Sequence, residues 1–136
     1  MGHEILYSRG LIAGLEGDPI ISTHLLIPQL ENSLRYILKQ HEFIASKIET
    51  IQDNLLLHEV LNSPDLEQIL GRDIIFALKG LLVERMGSNL RNEICHGLLE
   101  HSRFYQPELA YIWWLILYLC LVPTYKQWVN EKEDRF

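Results

Sequence analysis

Residues 18–40, DPIISTHLLIPQLENSLRYILKQ, decide the class of fold. Ile20, Ile27, Leu30, Leu34, Ile37 and Leu38 recur at helical spacing, which gathers them on one side of a 3.6-residue helix and suits no strand. Asp18 supplies an N-cap oxygen, and Pro19 stands in the first turn, where its missing donor is not needed. Pro28 lies inside the pattern. It cannot donate to the carbonyl of His24, so a kink or local widening is expected there.

The same period extends in both directions. Upstream, Tyr7, Leu11 and Leu15 stand four apart and Ile5 and Ile12 seven apart, predicting an amphipathic helix with that stripe buried and Gly17 as its stop. Downstream the pattern blurs over residues 43–52, and KIETIQ is readable as a short extended piece or a loop. Asp53 is read as the cap of a short helix through Leu61. Ser63-Pro64-Asp65 is a second start, giving a turn or two to Leu70 before Gly71. Residues 72–86 place Ile74, Leu78, Leu81 and Leu82 on one face, with Gly87 as the stop. Gln106-Pro107-Glu108 opens the most apolar helix, ended or bent at Pro123, and the polar tail 130–136 is expected to fray. The sum is an all-α bundle of four to five main helices with one or two short extra ones.

At 136 residues and 48% hydrophobic side chains, residues 1–136 fit a single domain with room for a sizeable core. The net charge of −6 argues against long electrostatic tracking along nucleic acid, while leaving room for a small cationic pocket. Cys95 and Cys120 sit far apart in apolar company, as reduced thiols of a cytoplasmic protein would. No basic segment precedes an early apolar run, so no secretory leader is expected. The apolar run 110–122 has 13 residues, about 20 Å as helix. That falls short of a hydrocarbon core of about 30 Å, so a buried helix is expected, with an interfacial segment as the lesser alternative, and no membrane span.

One stretch breaks the apolar rule. In SNLRNEICHGLL, residues 88–99, four hydrogen-bonding or titratable groups, Arg91, Asn92, Glu93 and His96, fall within six residues. With Ser88 or Asn89 as cap, they occupy the first two turns of a helix. Asn92 and His96 then share a face. Arg91 and His96 lie about 140° apart, so the arginine stem must reach around from the flank to meet the imidazole at one anion. The positive helix start adds to an anion preference. The same residues can instead satisfy caps and bridge to a neighbouring helix, and taken alone they favour that structural reading.

Other chemistries fit less well. Cys95 and His96 project about 100° apart on a helix and cannot pair directly as nucleophile and base. Glu93-x-x-His96 is half of a carboxylate di-iron signature with no second half in the chain. His3, His24, His41, His58 and His101 show no ligand spacing and read as surface or bridging residues. No metal and no cofactor is expected. A second polar cluster holds Glu31 and Arg35, four apart in the favourable order for an intrahelical ion pair. Glu31 is also one residue off the apolar stripe, from where it can face inward and orient Arg91 or His96.

The segments LLIPQLENSLRYIL, ILGRDIIFALKGLL, GSNLRNEICHGLL and YIWWLIL, in this order and spacing, resemble the family called domain of unknown function 4209 over residues 5–121. That family's RNxxxHG motif stands here as residues 91–97. The same R-x4-H spacing resembles the larger HEPN (higher eukaryote and prokaryote nucleotide-binding) superfamily. The resemblance implies a helical, commonly homodimeric domain, many relatives of which are metal-independent endoribonucleases. It also implies that the unit stands alone or forms one end of a longer protein. By this resemblance Arg91 and His96 would take the catalytic places, with Asn92 as polar companion; Glu31 and Arg35 would support them on the strength of their own spacing.

The implied chemistry is attack of a ribose 2′-oxygen on the neighbouring phosphorus. It needs a proton acceptor, a proton donor and charge stabilisation, but no metal. A histidine suits one proton transfer and an arginine suits the phosphoryl oxygens. A second copy's histidine would fill the other role. The competing expectation is a non-catalytic helical module that dimerises or binds RNA or nucleotide, with the motif as a clasp between helices.

Overall fold

The computed structural model describes the backbone of residues 2–46 and 56–133 and the side chains of residues 2–41 and 56–123. Among the described residues seven α-helices follow one another: α1 (His3–Leu15), α2 (Pro19–Ser46), α3 (Leu57–Leu61), α4 (Pro64–Leu70), α5 (Arg72–Leu82), α6 (Leu90–Cys95) and α7 (Pro107–Glu133). A 3-10 helix, His101–Tyr105, lies between α6 and α7. The fold is all-α, and no strand occurs among the described residues. The readings that rested on Asp53 and KIETIQ lie outside those residues.

Two long helices carry the core. Leu26, Ile27, Leu30, Leu34 and Leu38 of α2 are buried, as are Leu109, Ile112, Leu115 and Ile116 of α7. The short helices close the cluster with Leu57, Val60, Leu61 and Leu66, and α5 adds Ile75, Leu78, Leu81 and Leu82. At roughly 1.5–3 kcal/mol for each large apolar side chain taken out of water, the framework rests on α2, α5 and α7. Asp18 caps α2 as its sequence suggests: the Ile21 N–H donates to Asp18 Oδ1 at 3.0 Å.

Pro28 and Pro123 both fall inside helices that continue past them. Each is exposed, so the interrupted turn lies on the outer side of its helix, where a missing hydrogen bond is tolerated. The apolar helix is therefore not ended at Pro123. Its backbone is helical to Glu133, past the expected start of a frayed tail, and residues 134–136 lie outside the described part. No helix of the described residues is long and apolar enough to cross a membrane.

Two expectations fail, the first in part. In α1 Tyr7 and Leu11 of the expected stripe are partly buried against the core, but Ile5, Ile12 and Leu15 point outward, at 61%, 52% and 72% exposure, and the buried residues are Gly10 and Ala13. Close approach is the reason. A Cβ at Gly10 would stand 2.7 Å from the Leu26 side chain, and one at Gly14 only 2.2 Å from Trp113 Nε1. The face with the smallest residues is the one that lets α1 settle against α2 and α7.

The second failure is at α5, which ends at Leu82 and not at Met86, with Ile75 buried and Ile74 only partly so. The chain then folds back on itself. The Ser88 N–H donates to the Gly80 carbonyl at 3.0 Å, and a Cβ on Gly87 would stand 2.1 Å from that same oxygen. Gly87 is needed for this contact with α5, not as a helix stop. The turn delivers the chain to α6.

Candidate functional site

Leu90 and Ile94, four apart and buried, anchor α6 in the core. The polar residues between them therefore splay to the two sides. The helix has only six residues. Asn89 at its N-cap is left-handed, φ 48°, and makes no side-chain cap to the backbone. Its Oδ1 instead accepts from Asn92 Nδ2 at 3.0 Å. So short a helix contributes little dipole, and the anion preference expected from its start falls away.

On one side, Arg91 reaches α2. Its Nε donates to Glu31 Oε2 at 3.1 Å and one terminal nitrogen donates to Oε1 at 3.4 Å, a two-pronged pairing across 60 residues of chain. The other terminal nitrogen donates to Asn92 Oδ1 at 3.4 Å. Glu31, 7% exposed, also accepts from Arg35 one turn along α2. The hydrogen bond to Glu31 raises the Arg91 pKa above its usual value, outweighing desolvation. One buried carboxylate thus serves two guanidinium groups, leaving the trio with a formal surplus of one positive charge.

On the other side, Arg103 from the 3-10 helix donates to Glu93 and stands 3.9 Å from Glu108 in the first turn of α7. The motif helix is therefore held from both flanks by ion pairs. Nothing in the spacing pointed to the Glu93, Arg103 and Glu108 network, because its members belong to three different elements.

His96 is the C-cap of α6, not part of a continuing helix. Its backbone N–H donates to the Asn92 carbonyl at 3.1 Å. The chain closes behind it with Gly97 N–H to Ile94 O at 3.1 Å and Leu98 N–H to Glu93 O at 2.8 Å. This closure needs the left-handed Gly97, φ 65°. The imidazole is exposed and makes no hydrogen bond or ion pair among the described residues. No bond joins Arg91 to His96, and their positions on the helix differ by about 140° and about 7.5 Å along the axis. Asn92 turns to Asn89 and Arg91 and not to His96.

Glu31, Arg35, Arg91 and Asn92 are thus brought together, and His96 stands apart. Elsewhere, the His24 ring stacks on Phe104 at 5.4 Å between centroids, and His3 Nδ1 lies 2.6 Å from Gln29 Oε1. His41 Nε2 is 3.8 Å from Asp65. Among the described residues no three His, Cys, Asp or Glu side chains gather to hold a metal ion. Cys95 and Cys120 are free thiols, and burial pushes the Cys120 thiol upward in pKa.

Comparisons with protein-family models, with curated proteins and with solved structures return no match to this chain.

Proposed function

We propose that the chain is a HEPN-like, metal-independent endoribonuclease that works as a homodimer, with Arg91 and His96 lining a cleft between two copies. The observation that carries this reading is the contrast between the two residues. His96 is exposed and unpartnered at the end of α6, while Arg91 is held in place by a buried carboxylate that it shares with Arg35. A fixed cation and a solvent-facing imidazole on one short helix suit a phosphodiester. Arg91 would neutralise the phosphoryl oxygens, oriented by Glu31 and Asn92.

His96 would take the proton from the 2′-hydroxyl as that oxygen attacks phosphorus. The 5′-oxygen would leave with a proton given by His96 of the partner subunit, producing a 2′,3′-cyclic phosphate and a 5′-hydroxyl. A second copy also has a place to dock. Tyr111, Trp114 and Tyr118 stack along the outer face of α7 while 42–50% exposed. Exposed apolar surface of this kind is characteristic of interfaces.

The pairing of Arg91 with Glu31 favours a second reading, in which the motif is a structural clasp of a non-catalytic dimerising or RNA-binding module. Labelled RNA incubated with the protein in chelator separates the two. The first reading expects cleavage with cyclic-phosphate ends, reduced at least 100-fold by His96→Ala, whose side chain supports nothing in the fold, and by Arg91→Ala. Absence of cleavage, or cleavage that survives both substitutions, leaves the clasp.

A further inference from the structure

A cleft of about 270 Å3 lies where the end of α1, the start of α2, the 3-10 helix and the start of α7 meet. Ser22 and Thr23 line it, although they are only 2% and 5% exposed. A helical serine often satisfies itself on the carbonyl four residues back, as Ser8 does on Glu4 at 2.8 Å. Ser22 and Thr23 do not. Neither hydroxyl has a hydrogen-bond partner among the described residues. Neither is sealed off either, since no fully buried side-chain oxygen or nitrogen lacks a partner there. Both therefore keep unused donor and acceptor capacity at the wall that the cleft shares with a small void of about 10 Å3 toward the core.

The remaining walls narrow the ligand. No charged side chain lines the space, and an ion placed there would be desolvated without compensation. Phe104, Tyr105 and Trp113 supply aromatic surface, which suits a planar ring. The hydroxyls and the Gln106 amide each donate and accept, as the edge of a heterocycle with alternating donors and acceptors requires. The volume is just below the range of roughly 300–1,000 Å3 usual for ligand pockets. It therefore suits one ring system and no longer molecule.

We propose that this cleft binds an uncharged heteroaromatic ring of nucleobase size, recognised by Ser22, Thr23 and Gln106 between aromatic walls. The choice of a base among such rings rests on the ribonuclease reading, in which it would hold a nucleotide beside the cleaved bond. Arg103 connects the two places. It joins Glu93 of the motif helix to Glu108 of α7, and it directly precedes Phe104 and Tyr105.

Free adenosine, cytidine and uridine, which carry no phosphate, test the site by amide and indole NMR titration of the full chain. The expected result is saturable shifts at the Trp113 indole and at Ser22 and Thr23 with at least one nucleoside. Affinity should fall at least tenfold in Thr23→Val, which keeps the side-chain volume, and in Ala110→Phe, which narrows the cleft from an exposed position. Binding should be unchanged in His96→Ala. Failure of all three nucleosides, shifts confined to α6, or equal binding of benzoate overturns the proposal. Nucleoside binding by a protein that cleaves no RNA upholds the site while removing the ribonuclease reading.

Discussion

Glu31 is where the motif meets the rest of the molecule. Its carboxylate holds Arg91 from α6 and Arg35 from its own helix, so Glu31→Gln takes the anion from Arg91 and weakens the hold on Arg35. Breaking a fully buried pair costs about 3–5 kcal/mol. Here the arginine side chains are 28% and 31% exposed and water compensates in part, so a loss of about 2 kcal/mol in denaturant unfolding is expected. The i,i+4 spacing made the Glu31 and Arg35 pair legible in the sequence. The Glu31 to Arg91 bond was legible only as one alternative, because nothing local says which way a residue beside the apolar stripe will turn.

Tyr7 gives a pH dependence of definite sign. Burial raises its pKa above the usual 10.0, the hydrogen bond with Ser33 opposing in part. The folded protein then keeps this proton at a pH where the unfolded chain has released it. Its contribution is complete below about pH 10 and is lost as pH rises through the folded value. Thermal melts between pH 9 and 11 should show an alkaline decline that Tyr7→Phe reduces, and an unchanged decline would reject this assignment.

At the scale of elements, the contact of Gly87 with the Gly80 carbonyl sets where α6 begins. Gly87→Ala pushes a methyl group into backbone, which cannot move aside as a flexible side chain would, and a cost of roughly 1–3 kcal/mol is expected. Ile12→Ser on the outer face of α1 should change stability by no more than about 0.5 kcal/mol. A large loss from Ile12→Ser would restore the face expected from the sequence. Helical period reveals that a face is apolar, but not whether large or small residues mark the inner one. Gly10 and Gly14 decide that question in α1 because backbone proximity outweighs the transfer of three aliphatic side chains. The α2 pattern had no such competitor, and Leu30, Leu34 and Leu38 are buried as their spacing predicts. The end of α5 was misplaced for a related reason: Gly87 reads locally as a stop and acts through a tertiary contact.

For the whole molecule, the outer face of α7 decides how the chain behaves in solution under the proposed function. A stable pair of copies buries about 800 Å2 on each, and the stacked Tyr111, Trp114 and Tyr118 lie in a row along one helix. Sedimentation of the wild type should give a dimer that Trp114→Glu converts to monomer without lowering its melting temperature by more than a few degrees. A monomeric wild type would remove the shared cleft. The helical character of the molecule was legible over most of its sequence, the blurred stretch 43–52 excepted, whereas Glu93, Arg103 and Glu108 meet only because three elements converge.

Six residues are too few for a helix to persist in water on its own, so the order of α6 is borrowed from Leu90, Ile94 and the flanking ion pairs. Of these pairs, the Arg103 bridges are partly exposed and lie open to screening, since the Debye length shrinks from about 10 Å at 0.1 M salt to about 3 Å at 1 M. The Glu31 side is sheltered and changes less. Ionic strength therefore acts on the motif unevenly, loosening the flank held through Glu93 before the flank held through Arg91, and hydrogen exchange of α6 measured at rising salt would record the weakening.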